Sequence, residues 1–390
     1  MPTSKFINGA GTDIGTAFVT KDYVMTVYPN LIPSVKMPGL FTCGYNGYGQ
    51  LGDGTVANKS SPVQVGTLTN WRQVAGGLDH TIAVKTDGTL WTCGYNSNGQ
   101  LGDGTVAHKS SPIQVGSLTT WKQAAGGYYH TSAVKTDGTL WMWGYNAQGQ
   151  LGDGTITSRS SPVQVGALTT WKQVASGARH TVAVKTDGTL WACGYNAQGQ
   201  LGDGTIANKS SPVQVGALTT WKQVACGKFH TVAVKTDGTL WTWGYNAQGQ
   251  LGDGATANKS SPVQVGALTN WKQVDCGDYH TAVVKTDGAL WACGYNAQGQ
   301  LGDGTTTSKS SPVQVGALTT WRQVAGGLDH TVAVKTDGTL WAWGYNAQGQ
   351  LGNGATANKS SPVQVGSLTT WKQVDCGNYH TIAIKEGGDF

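Results

Sequence analysis

The chain has 390 residues, a net charge of +5, 58 glycines and only 12 % charged residues, against shares of about 7 % glycine and ~25 % charge in an average globular protein. With 16 Trp and 14 Tyr it holds too many aromatics and too few charges for a disordered chain. Its 26 basic residues recur once or twice per repeat and form no block, which excludes a polybasic nucleic-acid or membrane patch.

Residues 1–36 stand outside the repeat that fills the rest. They contain Thr16-Ala-Phe-Val-Thr20 and Tyr23-Val-Met-Thr-Val-Tyr28, two β-favouring runs, followed by the breakers Pro29 and Pro33. The segment reads as a leader lying on the main body or as a docking arm that orders in an assembly, because so short an apolar stretch cannot build its own core. Met1 to Asn30 lacks the apolar run of a signal peptide, and no segment approaches the ~18 apolar residues of a membrane span. The expectation is a chain soluble as made, cytoplasmic or incorporated in a virion.

From residue 37 to 390 the sequence repeats every fifty residues. The recurring core is the stretch from His330 to Asn346, in which two β-branched and aromatic runs flank Asp337-Gly338. An Asp-Gly pair predicts a two-residue hairpin with a type I′ turn and positive φ at both central residues. In the second unit the strand-like runs are 90–95, 112–115, 121–125 and 130–135, and apolar or small residues appear on both faces of the middle ones. Seven such units predict an all-β, seven-bladed β-propeller of four-stranded antiparallel blades, since a blade packed between two others is buried on both sides. A β-solenoid would need shorter coils. The last unit stops at Phe390 before its second hairpin strand, and the first begins with an orphan copy of it, 40–46. The ring is therefore expected to close with the N-terminal strand in the last blade, leaving no free edge.

The motifs Leu-Trp-x-x-Gly-Tyr-Asn-x-x-Gly-Gln-Leu-Gly, Pro-Val-Gln-Val and Gly-x-x-His-Thr-x-Ala-Val-Lys-x-Asp-Gly, repeated over residues 37–388, resemble the repeat of the regulator-of-chromosome-condensation family. The resemblance implies a seven-bladed propeller with the same strand exchange but no single function, because such propellers serve in nucleotide exchange, light sensing, enzyme inhibition and scaffolding. Every unit here keeps its spacing, with no insertion to act as the nucleotide-prising wedge of the exchange factors. The light-sensing members use Gly-Trp-Arg-His-Thr, to which the nearest match is Gly177-Ala-Arg-His-Thr181. Tryptophan is never found at that position. The repeats are also more alike than in most members.

No catalytic constellation is legible, and no cofactor is implied. Histidines 80, 130, 180, 230, 280, 330 and 380 share one repeat position. Equivalent sites on separate blades stand apart rather than converging on one metal ion, so each is read as a structural histidine bonded to a backbone group. Gly-Asp-Gly-Thr at 102–105 lacks the Lys-Ser/Thr of a phosphate loop and the spaced acids of a calcium loop, and reads as a turn. The seven cysteines include no C-x-x-C pair. Cys43, Cys93, Cys193 and Cys293 alternate with Trp143, Trp243 and Trp343 at one position and read as small buried side chains.

The variation between units concentrates on one side. If strands alternate in direction, the long loop after Gly-Tyr-Asn and the Gly-x-x-His loop share a face, and the Asp-Gly and Leu-Thr turns share the other. The second is nearly constant. The first carries the pairs Leu78-Asp79, Tyr128-Tyr129, Ala178-Arg179, Lys228-Phe229, Asp278-Tyr279, Leu328-Asp329 and Asn378-Tyr379. Residues so varied are expected not to pack a fixed neighbour, and their aromatic content suits a protein-binding surface. The reading is a non-enzymatic propeller that binds a protein partner, or a glycan, through this face, with no nucleic-acid or membrane ligand and no metal. It would be a subunit of a larger assembly such as a phage virion, joined through residues 1–36 to like or unlike subunits. The alternatives are a soluble inhibitor or adaptor using the same face and, behind it, a nucleotide-exchange factor.

Overall fold

The computed structural model describes residues 4–7, 13–17 and 39–386. The chain divides into two compact units, Met1–Met37 with Gly387–Phe390, and Pro38–Glu386. Of the first, β1 (Ser4–Ile7) and β2 (Asp13–Ala17) form an antiparallel hairpin. Neither run expected in the leader is the strand found: 13–17 overlaps only the start of 16–20, and 23–28 lies outside the described residues.

The second unit is seven four-stranded antiparallel sheets. Blade 2 shows the plan, with β9 (Trp121–Gly126), β10 (His130–Lys135), β11 (Leu140–Gly144) and β12 (Arg159–Gln164) paired in that order. Blades 1 to 6 begin at Trp71, Trp121, Trp171, Trp221, Trp271 and Trp321. Blade 7 combines β29 (Trp371–Cys376) and β30 (His380–Lys385) with β3 (Gly39–Gly44) and β4 (Lys59–Gln64), β3 pairing with β30 from Gly39↔Lys385 to Gly44↔His380. The ring thus closes as the sequence implies. The fourth strand of each blade starts earlier than its Pro-Val core, at Lys109 rather than Pro112 in blade 1, because Gly94 pairs with Lys109 across a bulge.

Burial follows from stacking blades face to face. All six residues of β10 are buried, and the apolar clusters lie between blades rather than within them. Val182, Val184 and Leu190 of blade 3, for example, pack on Trp221, Val224 and Trp243 of blade 4. The innermost strands are too splayed for a backbone ladder around the axis, and glutamines take its place. The Gln123 amide donates to Val174 O at 3.0 Å and its oxygen accepts from Val174 N at 3.1 Å. Equivalent links run from Gln73 to Ala124 and from Gln273 to Val324.

The Asp-Gly hairpin differs from the expected type I′ turn. Glycine alone has positive φ, as at Gly138 (78°), and no Asp of these turns does. Gly138 N donates to Lys135 O at 3.0 Å, and Lys135 N to Thr139 O at 3.0 Å. The loop is therefore a type I turn followed by a left-handed glycine bulge. Asp137 Oδ1 accepts from Thr139 N and Oγ1, a side-chain bond that favours this geometry over the mirror turn.

Candidate functional site

The long loops and the Gly-x-x-His loops emerge on one face, where β9 turns into β10 and β11 into β12. The histidines beneath that face form a closed belt. His80 Nε2 meets Thr131 Oγ1 of the next blade at 3.0 Å, and the pattern continues around to His380 and Thr81, also at 3.0 Å. The partner is a threonine hydroxyl, not the backbone group expected. Each hydroxyl donates its own proton to a glutamine carbonyl, Thr131 to Gln100 O at 2.8 Å. It must therefore accept from Nε2–H, which fixes the neutral tautomer. The other nitrogen, Nδ1, is buried without a partner in all seven. Burial accordingly holds His80, His130, His180, His230, His330 and His380 down to about 3, and His280 to about 4. The glycine of Gly-x-x-His makes room for the ring, since a Cβ on Gly127 would lie 2.1 Å from His130 Cε1. Among the described residues no three His, Cys, Asp or Glu are grouped to share a metal ion. Nor is any helix long and apolar enough to cross a membrane.

The variable pairs divide into two roles. The first member turns toward the axis, where Tyr128, Ala178, Lys228, Asp278 and Asn378 line one end of a central channel of about 300 Å³. This corrects the expectation of residues without fixed neighbours. Asp278 is 5 % exposed, accepts a hydrogen bond from the Tyr128 hydroxyl and lies 3.8 Å from Lys228 Nζ, which also stands 5.6 Å from the Tyr128 ring. Backbone bonds link successive loops here, including Lys228 N to Asp278 O and Leu328 N to Asn378 O. Burial raises Asp278 to about 7. The channel wall also carries Asp275 and Asp375, where other blades have alanine. Burial holds both carboxyls above the usual range, Asp375 further because of Asp275.

The second member faces outward and joins a ring of tyrosines. Tyr129 lies 6.0 Å from Tyr95 and 6.3 Å from Tyr145, Phe229 5.8 Å from Tyr195, Tyr279 6.0 Å from Tyr245, and Tyr379 6.2 Å from Tyr345. All four are half-buried, each packed on the tyrosine of a neighbouring long loop. Asp79 and Asp329 take the place of aromatics in two blades and accept from Gln50 and Gln300 amides, and burial raises each to about 6. Leu78 and Leu328 are half-buried, and Arg179 is exposed.

Comparison of units had missed the tyrosine of Gly-Tyr-Asn, because it is identical in all seven. It had also missed Tyr48 and His108, which lie outside the variable pairs. Every tyrosine from Tyr45 onward, twelve of 14, lies in these loops, whereas the tryptophans sit in strands. The opposite face carries leucines instead, Leu118, Leu168, Leu218, Leu268 and Leu318, each 45–48 % exposed. They recur at a fixed position, as parts of the repeat do. The varied face offers contact area built of half-buried aromatic rings.

Residues 123–390 match the RCC1-like domain model, and residues 39–84 and 87–134 match the regulator of chromosome condensation (RCC1) repeat. Among solved structures, human WBSCR16 is similar with a TM-score of 0.82 and 23 % identity over 91 % of this chain and 100 % of that one. Prp20p from Saccharomyces cerevisiae, studied with its binding to Gsp1p and histones, gives 0.80 and 23 % over 91 % and 93 %. Yeast RCC1 (Prp20) bound by Kap60 gives 0.80 and 21 % over 93 % and 92 %. At these identities the structures share the fold.

Proposed function

The chain belongs to the RCC1-like domain family, and from that premise we propose that it is a non-enzymatic propeller that binds a protein through its Gly-x-x-His face. The observation that carries this is the gathering of twelve tyrosines and Phe229 on the one face whose loops vary. Tyrosine supplies rigid, amphipathic contact area at low entropic cost, which is why binding loops are rich in it. The solved relatives named with ligands bind proteins, Gsp1p, histones and Kap60. All seven blades keep regular spacing, which favours binding over nucleotide exchange.

Within this reading the chain is a subunit of a larger assembly such as a phage particle, attached through residues 1–36. Near-identity of the repeats favours a structural role. A soluble inhibitor or adaptor is the competing version, and would retain full function without residues 1–36.

The test is quantitative binding to the partner recovered by proximity labelling in the native host. Replacing Tyr129, Phe229, Tyr279 and Tyr379 with Ser should leave a cooperative melt and weaken binding by about two orders of magnitude or more, at ~1.4 kcal/mol per tenfold. Substituting Thr119, Thr169, Thr219 and Thr319 on the opposite face should change nothing. Equal binding by the aromatic variant would remove the face from the reading.

A further inference from the structure

Blades 1 and 6 carry the same pair, Leu78-Asp79 and Leu328-Asp329, yet their surroundings differ. In most units the long loop ends on an asparagine whose amide donates to a glutamine of the preceding loop: Asn358 to Gln298 at 2.7 Å beside Asp329, and likewise Asn208 to Gln148 and Asn258 to Gln198. Beside Asp79 both members are replaced. Tyr48 stands for the glutamine and His108 for the asparagine, their rings 5.2 Å apart. His108 stacks on Tyr95 at 4.8 Å, and Tyr48 lies 4.9 Å from Tyr95 and 6.3 Å from Tyr45. An aromatic run broken at Asp329 is thereby continuous past Asp79, from Tyr345 and Tyr379 to Tyr129 and Tyr145.

A second asymmetry falls in the same sector. One loop position is Val56, Val106, Ile156 and Ile206 in blades 7, 1, 2 and 3, all 61–68 % exposed, and threonine at 256, 306 and 356 in blades 4, 5 and 6. Four consecutive exposed aliphatics beside a bridged aromatic run are what a covered interface has and a wet surface sheds. The sector also holds Arg179. It is exposed and makes no ion pair among the described residues, whereas five of the six lysines at the equivalent loop end pair with an aspartate of their own loop, and Lys228 pairs with Asp278.

We infer that the partner docks off-axis, on the arc of blades 7, 1, 2 and 3, and that it presents a carboxylate to Arg179 flanked by apolar side chains that cover the aliphatic rim. This rests on the face proposed above as the binding surface and narrows it to a sector and a chemistry. A sugar would stack on the rings but would leave the four aliphatic groups wet, so a protein segment fits better. Interface hot spots are also enriched in arginine and tyrosine.

The test uses the full chain as bait for random linear displayed peptides, with a glycan array in parallel. The variants carry residues that other repeats already hold, so the fold tolerates them: Val56→Thr, Val106→Thr, Ile156→Thr and Ile206→Thr together, and Arg179→Asp separately. The proposal expects acidic peptides with apolar neighbours, whose binding falls about tenfold or more in each variant, while Thr256→Ile with Thr306→Ile and Thr356→Ile leaves it unchanged. Peptides indifferent to these variants but lost on Phe229→Ser with Tyr279→Ser would overturn the sector and spare the face. Peptides lost only on Leu168→Ser with Leu218→Ser would overturn both. Binding confined to glycans, or to neither probe, also overturns it.

Discussion

The histidine belt sets how the molecule answers to pH. Each imidazole is neutral, with Nε2–H committed to a threonine and Nδ1 buried bare, so protonation would strand a charge in an apolar wall. The folded value, about 3, lies below the ordinary 6.5, so the stability each imidazole contributes is present above pH 6.5 and is lost as pH falls toward 3. The raised carboxyls act in the opposite sense. Asp79, Asp275, Asp278 and Asp329 sit above their ordinary 3.8, so their contribution is present below that value and lost as pH rises through 6 to 7, and Asp375, also raised, acts in the same direction. Between pH 4 and 6 the five carboxyls offset part of the effect of the seven imidazoles, and stability still falls with pH. Below 4 these carboxyls are protonated in both states, and the imidazoles are joined by the loop and turn aspartates held below 3.8, such as Asp103 and Asp137, whose contribution is also lost as pH falls. The melting temperature should therefore decline gently from pH 7 to 4 and steeply below, as calorimetry across that range would read. A steep fall already at pH 6 would contradict the buried neutral tautomer. Asp275→Ala with Asp375→Ala, alanine being the residue of the other blades, should raise the melting temperature by a few degrees at pH 8 and by less at pH 5.

At the scale of the strand and turn, the Asp-Gly pair marked every hairpin correctly but misled on turn type. The pair is common to both turns, and the bond found in this one is the aspartate's own: Asp137 Oδ1 accepts from Thr139 N, and Asp287 Oδ1 from Ala289 N in the same turn without a hydroxyl. Gly138 has φ of 78°, and a Cβ there would lie 2.1 Å from Thr169 O of the neighbouring turn. Gly138→Ala should thus cost about 1–3 kcal/mol from the backbone alone, with more from the clash, measured as a shift in urea midpoint. Asp137→Asn, which keeps the accepting oxygen, should cost much less. Equal losses would mean that the carboxylate and not the glycine fixes the loop. Strand order and the sharing of one face by two sets of loops were likewise legible, because alternation dictates them. The inward turn of Tyr128, Lys228 and Asp278 was not, since a list of differences between units cannot tell an exposed position from one that meets its counterparts at the axis.

At the scale of the whole ring, stability is a matter of closure. Each blade buries its two faces on its neighbours, so an open ring would expose two apolar faces at once, not one. The only seam is in blade 7, where β3 lies between β30 and β4 and the belt is completed by His380 and Thr81. Removing residues 1–46 takes out β3, strips β30 and β4 of their ladder partners and leaves the Trp371 ring without Phe41, 5.5 Å away. That truncation should melt without cooperativity or aggregate. Removal of residues 1–36 touches no strand of the ring and should leave the melting temperature nearly unchanged. The sharper arm of the experiment is a circular permutant. Because Gly39 pairs with Lys385, a short linker can join the two ends and new termini can be opened at Asp187-Gly188 without losing any strand. Such a permutant should fold and melt cooperatively within a few degrees of the parent. If it fails while the 47–390 fragment is stable, the seam is not what holds the ring shut.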